Sequence, residues 1–151
     1  MDIIIDDLTG PEVAKLLTEH HQDMHKHSPP ESIHAMDLSA LQSQDVTFWS
    51  AWINGELAGC GALKQLDKHH GELKSMRTAR NFLRKGVAAK LLTHILNEAK
   101  KHNYTKVSLE TGTMAAFSPA RNMYEKFGFE YCAPFAHYSE DPNSTFMTKN
   151  L

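Results

Sequence analysis

Asn54 and Gly55 separate two strand-like segments, at residues 46–53 and 57–66. Both residues tolerate a positive φ, so the pair favours the tight two-residue turn of an antiparallel hairpin. A hairpin of this length predicts that the middle of the chain forms part of a β-sheet. Further short apolar segments extend that sheet and are predicted as strands at residues 3–5, 72–78, 106–110, 129–132 and 145–147.

Residues 72–78 do not alternate strictly between apolar and polar side chains. Leu73 and Met76 are both apolar but lie three positions apart, with Lys74 and Ser75 between them. Because successive side chains of a strand point to opposite faces, a regular strand cannot place both apolar residues on one face. The spacing therefore predicts a β-bulge at Lys74/Ser75.

Residues 86–101 form the clearest predicted helix, because their apolar residues recur at helical spacing. The apolar stripe consists of Val87, Leu91, Leu92, Ile95, Leu96 and Ala99. Further helices are predicted between residues 11 and 24 and from residue 118 to Gly128, a residue typical of helix ends. Hairpins and strand–helix units thus coexist in one domain over residues 1–151. This predicts a three-layer α/β (α+β mixed) fold, with helices on both faces of a mixed, mostly antiparallel, twisted sheet of six to seven strands.

The charge balance excludes some classes of partner. The 151 residues include 16 Lys and Arg against 18 Asp and Glu, with a formal net charge of −2, which argues against binding to nucleic acid or an anionic membrane. No apolar run approaches the roughly 18 residues of a membrane span, and residues 1–7 lack the features of a secretory signal. Two cysteines outside any CxxC motif fit a reducing compartment. We expect a cytoplasmic monomer or homodimer.

A strand, a short basic loop and an amphipathic helix follow one another between residues 72 and 101. The first N–H groups of a helix have no internal partner and lie at the positive end of its dipole, so several of them can bind one pyrophosphate. Gly86 and Ala88 allow phosphates to approach the backbone, and Arg84 and Lys85 add positive charge. The pattern fits an ordinary strand–helix turn with a solvated basic pair equally well, so it leaves both interpretations open.

Two motifs carry a resemblance to a known family. Residues 83–88, Leu-Arg-Lys-Gly-Val-Ala, are similar to Gln/Arg-x-x-Gly-x-Gly/Ala, and residues 120–129 fit Ala-x-x-x-Tyr-x-x-x-Gly-Phe. The chain therefore resembles the GNAT superfamily of N-acetyltransferases over essentially its whole length. It departs from the family pattern at Leu83, where Gln or Arg is usual, and at Phe117, where Asn is frequent.

The resemblance implies a cosubstrate, an acceptor and a set of binding residues. The donor would be acetyl-CoA, and the acceptor a primary amine of a small molecule or amino-acid-like compound that attacks directly in a ternary complex, without a metal. The sheet would splay between the strands at 72–78 and 106–110, with the pantetheine arm in the gap and backbone N–H groups near Met76 at the thioester carbonyl. The expected cofactor-binding residues are Met76, Arg77, Thr78, Arg84, Lys85, Gly86, Val87, Ala88 and Ala89.

Three residues are candidates for proton transfer. An amine of pKa about 10.4 is mostly protonated at pH 7, so a general base helps it to attack. Glu72 is the first candidate base, since some members of the resembled family carry a catalytic Glu there, and Glu110 on the neighbouring strand is the second. Tyr124, which fits the second motif, is expected to protonate the departing thiolate. From the residues alone, the carboxylates also fit solvated strand ends, and the pattern favours a core position for Tyr124.

Five histidines cluster within a short segment: His20, His21, His25, His27 and His34. A histidine-based metal sensor is therefore one alternative function, although neither a cysteine nor a fixed carboxylate spacing accompanies the cluster. The resembled family builds its acceptor pocket in this region, so His27 or His34 is a candidate substrate contact. The other alternative is a non-catalytic CoA- or acyl-CoA-binding or sensing module on the same fold.

Overall fold

A computed structural model describes residues 1–29 and 38–151. Within these residues, seven strands form one sheet: β1 (Asp2–Ile5), β2 (Val46–Ile53), β3 (Glu56–Asp67), β4 (His70–Thr78), β5 (Lys106–Gly112), β6 (Glu130–Cys132) and β7 (Ser144–Asn150). The same part of the chain contains four α-helices: α1 (Pro11–His27), α2 (Leu38–Leu41), α3 (Val87–Lys101) and α4 (Ser118–Lys126). The predicted strands and the three predicted helices are all present.

The strands lie in the order β1-β2-β3-β4-β5-β7-β6. β4 and β5 run parallel, and every other neighbouring pair in the described sheet is antiparallel. Asn54 and Gly55 join β2 to β3 with φ angles of 51° and 80°, as a tight hairpin requires. The predicted mixed, mostly antiparallel sheet is confirmed.

Helices pack on both faces of this sheet. α3 covers one face with its predicted apolar stripe, where it meets Leu63 of β3 and Leu73 of β4. α1 covers the other face through Val13, Leu16 and Leu17, which pack with the neighbouring β3 residue Ala62. Ala62 and Leu63 thus belong to opposite cores, as the alternation along a strand requires. None of the described helices is long and apolar enough to cross a bilayer.

β4 carries a bulge one residue further along than the sequence predicts. Ser75 and Met76 of β4 lie opposite a single residue of β3, Gly61. Ser75 has a φ of 55°, which is uncommon for a residue with a side chain, and the Cys60 thiol donates to its carbonyl oxygen at 3.4 Å. The predicted position, Lys74/Ser75, is off by one residue. The spacing of Leu73 and Met76 shows that the alternation is interrupted between them, but it does not show which residue is the extra one.

β4 and β5 separate after a short parallel stretch. Their paired residues end at Glu72 and Ser108, although β4 continues to Thr78 and β5 continues to Gly112. On their outer sides the two strands remain paired, β4 with β3 and β5 with β7. The result is a V-shaped gap within the sheet, which is the splay that the resemblance implies.

Candidate active site

The gap between β4 and β5 opens into a cavity of about 130 Å³. The cavity lining comes from both strands, from α1 on one face of the sheet, from α4 on the other, and from the segment between β6 and β7. The three residues predicted for proton transfer, Glu72, Glu110 and Tyr124, all line this cavity. The fold therefore brings together side chains that lie up to 52 residues apart in sequence.

Glu72 is a buried carboxylate in which one oxygen accepts hydrogen bonds and the other has no partner in the described residues. The residue is 1% exposed. Its Oε2 accepts hydrogen bonds from the Tyr138 hydroxyl at 2.6 Å and from Lys74 Nζ at 3.1 Å, whereas Oε1 is buried without a hydrogen-bond partner in the described residues. Leaving a buried polar atom unpaired is costly, so Oε1 is suited to bind a substrate group. Glu72 is not a solvated strand-end carboxylate.

Lys74 and Tyr138 complete a network that the sequence analysis missed. Lys74 Nζ donates to the Tyr138 hydroxyl oxygen at 2.8 Å and lies 5.6 Å from the centre of the ring. Burial and the neighbouring Glu72 charge raise the pKa of Tyr138, so its hydroxyl stays protonated at neutral pH and donates to the carboxylate. No sequence signal points to this contact, because Tyr138 lies in an irregular segment 66 residues after Glu72.

Tyr124 lies on α4 and is 6% exposed. Its ring packs edge-on against Phe129, with 5.6 Å between the ring centres. Burial raises the pKa of the Tyr124 hydroxyl well above its ordinary value, so this group stays protonated and able to donate at neutral pH. Tyr124 therefore belongs to the core and lines the cavity at once.

Glu110 lies on β5, two residues beyond the residue that pairs with Glu72. Glu110 is half-buried, in contrast to Glu72. Its negative charge contributes to the raised pKa of Tyr138, which places the two groups close together. Both carboxylates thus line the cavity. Glu72 is distinguished by its buried Oε1, which has no hydrogen-bond partner in the described residues.

His20 of α1 closes one side of the cavity. Burial and the nearby charge of Arg77 lower the pKa of His20 to about 4, so its imidazole is neutral at neutral pH. Arg77 Nη2 forms an ion pair with Asp23 Oδ2 of the same helix at 2.6 Å. This pair ties β4 to α1 beside the cavity.

One departure from the family motif has a visible structural role. Phe117, which stands where Asn is frequent, lines the cavity, and its ring occupies the space that a side chain at Gly112 would need. Arg121 Nη1 fixes this turn by donating to the carbonyl oxygens of Gly112 at 2.6 Å and Met114 at 3.1 Å. A bulky apolar ring thus shapes the cavity wall at this position.

The loop before α3 is exposed and open. Gly86 precedes the helix with a φ of 80°, and no atom lies within 4 Å of where a Cβ would stand. Arg84 and Lys85 are exposed beside it, and no described side chain caps the helix. The N–H groups of residues 87–89 are therefore free of side-chain caps, and together with the two cations they fit a pyrophosphate.

The other predicted cofactor residues offer their backbone rather than their side chains. Val87 is 2% exposed and belongs to the core, and residues 88–89 present only methyl groups. The Arg77 side chain is held in its ion pair, and the Met76 sulfur packs against the backbone of β3. Thr78 ends β4, and Met76 is the one residue of this group that lines the cavity.

The four histidines of α1 do not assemble a metal centre. No group of three His, Cys, Asp or Glu side chains is placed to hold a metal ion in residues 1–29 and 38–151. The ring of His27 packs edge-on against Phe117, next to the cavity, whereas His20 lines the cavity itself. His34, the other predicted substrate contact, lies outside the described residues.

A family profile described as the Acetyltransferase (GNAT) family matches residues 11–129. The chain belongs to the GNAT family. It is 62% identical over 151 residues to the uncharacterized N-acetyltransferase YsnE of Bacillus subtilis (strain 168), with all of both chains covered. It is 52% identical over 146 residues to the uncharacterized N-acetyltransferase YedL of Escherichia coli (strain K12), covering 97% of this chain and 92% of YedL. The chain is thus an acetyl-CoA-dependent N-acetyltransferase by family.

A third relative carries a more specific name. The IAA acetyltransferase of Azospirillum brasilense is 34% identical over 140 residues, which cover 92% of this chain and 90% of that protein. Among solved structures, an acyl-CoA N-acyltransferase of Klebsiella pneumoniae matches with a TM-score of 0.84 and 26% identity, covering 99% of this chain and 97% of that one. A GNAT acetyltransferase of Elizabethkingia anophelis with acetyl-CoA bound matches with a TM-score of 0.70 and 19% identity, covering 99% of this chain and 97% of that one. The fold of the chain is that of the GNAT enzymes.

Proposed function

We propose that this GNAT enzyme acetylates the primary amine of a small, amino-acid-like acceptor, which attacks acetyl-CoA directly in a ternary complex. One observation carries the proposal: Glu72 with its open Oε1 and Tyr124 converge on one cavity at the splay of the sheet. A base for the acceptor and an acid for the leaving group are what such a transfer needs. The Elizabethkingia relative with acetyl-CoA bound supports the same cosubstrate.

Residues 84–89 hold the cofactor in this proposal. The N–H groups of residues 87–89 bind the pyrophosphate, and Arg84 and Lys85 balance its charge. When bound, acetyl-CoA supplies an activated acetyl group. Once this group is transferred, CoA is released as a thiolate that needs a proton. The diverging main chains of β4 and β5 provide the groove that leads from this loop to the cavity.

Glu72 acts on the acceptor amine, and Tyr124 acts on the leaving thiolate. Glu72 Oε1 takes a proton from the acceptor ammonium, which frees the nitrogen lone pair for attack, and the second proton that the nitrogen loses as the amide forms passes to solvent. Tyr124 gives its hydroxyl proton to the departing thiolate and regains one from solvent after the transfer. Burial raises the pKa of this hydroxyl, which keeps it protonated at neutral pH but makes it a weaker acid, so the transfer needs a direct hydrogen bond to the thiolate. Glu110 is the alternative base, because it lines the same cavity.

The charges around the cavity favour a cationic acceptor. Glu72 and Glu110 carry formal negative charges, Lys74 carries one positive charge, and His20 is neutral. These four groups therefore leave a net formal charge of −1, which attracts an ammonium group. The limited volume, about 130 Å³, favours a small acceptor over a folded peptide segment.

Other properties of the protein stay predictions. We propose a cytoplasmic monomer or homodimer that needs no metal and binds neither nucleic acid nor membrane. Two free cysteines, Cys60 and Cys132, agree with a reducing compartment.

Matched carboxylate variants test the proposed reaction. Acetyl-CoA turnover is measured with L-aspartate, L-lysine, putrescine, tyramine and IAA for the wild type, Glu72→Gln, Glu110→Gln and the exposed control Glu130→Gln. Glu72→Gln is expected to lower kcat/KM about 100-fold at neutral pH, and less at high pH where the amine deprotonates without help. The control is expected to match the wild type.

Four outcomes would contradict parts of this proposal. A small and uniform effect of Glu72→Gln across pH would exclude Glu72 as the base, and a pH-dependent loss in Glu110→Gln would assign the role to Glu110. Turnover of IAA without turnover of any amine would contradict the acceptor class. Tight CoA binding with no turnover of any acceptor would favour a non-catalytic CoA-binding module.

A further inference from the structure

The network around Glu72 buries a carboxylate and an ammonium group beside the cavity. Glu72 is 1% exposed, Tyr138 is 9% exposed, and the Lys74 side chain is 10% exposed. Replacing a buried ion pair by apolar side chains of similar volume is often neutral or stabilising. A buried Lys–Glu–Tyr group at the wall of a cavity therefore calls for an explanation in terms of chemistry.

Two of the three contacts in this network converge on one carboxylate oxygen. Tyr138 and Lys74 both donate to Oε2 of Glu72, at 2.6 and 3.1 Å, and Lys74 also donates to Tyr138 at 2.8 Å. Because a carboxylate is planar, two donors on one oxygen fix the position of the other. That other oxygen is Oε1, the buried atom without a partner in the described residues.

We propose that Tyr138 and Lys74 are positioning residues of the acetyl transfer, which hold Glu72 ionised and aim its Oε1 at the acceptor amine. The inference rests on the proposed function, in which Glu72 is the base. The hydroxyl of Tyr138 and the ammonium of Lys74 stabilise the charged form of the carboxylate, which is the form that accepts a proton. Neither residue transfers a proton itself.

Several titratable groups face Glu72 from the elements packed around it: His70 and Lys74 on β4, Glu110 on β5, Tyr138 before β7, Tyr124 on α4 and His20 on α1. At neutral pH His20 and the two tyrosines are uncharged. Lys74 is therefore the group that offsets the negative charges of Glu72 and Glu110 in this set. Loss of Lys74, or of the Tyr138 hydroxyl, removes a hydrogen-bond donor from Glu72 Oε2.

The pH dependence of catalysis tests the proposal. kcat and KM are measured from pH 5 to pH 10 for the wild type, Tyr138→Phe, Lys74→Met and Lys74→Arg, with the best acceptor among L-aspartate, L-lysine, putrescine and tyramine. Tyr138→Phe is expected to lower kcat about tenfold at pH 7, because a hydrogen bond to a charged group is lost. The acid limb of its profile is expected to move up by about one pH unit, with KM within about twofold of the wild type.

The Lys74 variants separate charge from shape. Lys74→Met removes the charge and is expected to move the acid limb at least as far as Tyr138→Phe does. Lys74→Arg keeps the charge and is expected to return the limb toward the wild-type position. Tyr138→Phe keeps the packed ring, so it decides the question if Lys74→Met fails to fold.

Tyr131→Phe is the matched control. The Tyr131 hydroxyl donates to Glu125 Oε1 at 2.7 Å, so it makes the same kind of bond on the exposed surface. This variant is expected to leave kcat, KM and the pH profile unchanged. In a Glu72→Gln background, adding Tyr138→Phe is expected to cause no further loss, since the group that Tyr138 positions is no longer a base.

The possible failures are distinguishable. A lower melting temperature with an unchanged pH profile in both Tyr138→Phe and Lys74→Met would mean that the network is structural. A raised KM without a shift of the acid limb would mean that Tyr138 contacts the acceptor directly. Full neutral-pH activity of Glu72→Gln would overturn the proposed base, whereas an inactive Glu72→Gln with an unshifted Tyr138→Phe profile would overturn the positioning role alone.

Discussion

The loop at residues 84–89 and the cavity around Glu72 differ in how they are built. The loop is contiguous in sequence and exposed, and it offers backbone N–H groups and two exposed cations. The cavity is assembled from two strands, two helices and an irregular segment, and it offers buried side chains. A short motif is enough to encode the loop, but the whole fold is needed to encode the cavity.

This difference has an energetic consequence. Substitutions other than proline leave backbone donors in place, so changes in the loop are expected to weaken binding gradually. A buried side chain contributes a single positioned group, so its loss is expected to have a larger effect. The following predictions test this contrast, beginning with the largest effect.

Tyr124→Phe is expected to give the largest effect, because it removes the proposed acid and keeps the ring. Proton transfer by a positioned side chain is worth about 10²–10⁴-fold in rate, or roughly 3–5.5 kcal/mol. Since water can partly replace the lost donor, we expect a fall in kcat near the lower end. Steady-state kinetics and CoA calorimetry on one preparation are expected to show lower kcat with nearly unchanged affinity. A normal kcat with a lowered melting temperature, while chemistry is rate-limiting, would mean that Tyr124 is only a core residue.

His20 tests how strongly the cavity wall is shielded from water. Its pKa of about 4 lies below the ordinary histidine value of 6.5, because burial and Arg77 disfavour its charged form. The unfolded chain therefore binds more protons between these values, so folding stability falls as the pH drops through this window. The loss in the wild type is up to about 3 kcal/mol, and we expect His20→Gln to abolish this part of it.

Denaturant unfolding at pH 7.5, 6, 5 and 4 measures this effect. The matched control is His25→Gln, which alters an exposed histidine of the same helix. We expect the control to retain the wild-type pH dependence. An identical pH dependence in His20→Gln and the control would show that water reaches the cavity wall freely.

Gly86→Val is expected to give the smallest effect of the three. A β-branched residue is strained at a φ of 80°, by about 1–3 kcal/mol, and a local shift of the loop moves the N–H groups of residues 87–89. We expect the Kd for CoA to rise about tenfold, a change of 1.4 kcal/mol. Gly55→Val is the control, because Gly55 has the same φ and equally open surroundings in the β2–β3 turn. Equal CoA affinity in the two folded variants would contradict the cofactor assignment.

Local features of the sequence predicted most of the sheet and the loop. The Asn54-Gly55 turn, the apolar stripe of α3 and the change of phase in β4 each depend on residues close together in sequence, and the structure contains all three. Glu72 and Tyr124 could be nominated because they fit family motifs. The structure supplied their burial and their common cavity.

The remaining parts of the site depend on contacts that no local pattern encodes. Tyr138 lies in an irregular segment, and its role depends on a hydrogen bond across 66 residues. Lys74 looks like an ordinary polar strand residue until the sheet and the β6–β7 segment enclose it. His20 belonged to a conspicuous histidine cluster, but its position on the cavity wall follows from how α1 packs on β4.

The bulge in β4 reverses the alternation of side chains between the two faces of the sheet, so even-numbered residues before it and odd-numbered residues after it share one face. Before it, Leu73 faces the α3 core while Glu72 faces the cavity; after it, Met76 packs toward α3 and Arg77 reaches Asp23 of α1. In a regular strand without the bulge, the same sequence would turn the guanidinium into the apolar core, a position that buried charges do not tolerate without partners. Evolution can therefore alter this strand by substitution, but an insertion or deletion outside the bulge would change which face the later side chains occupy. New acceptor specificity in this scaffold is more easily reached by side-chain exchange along β4 or by loops that change length elsewhere.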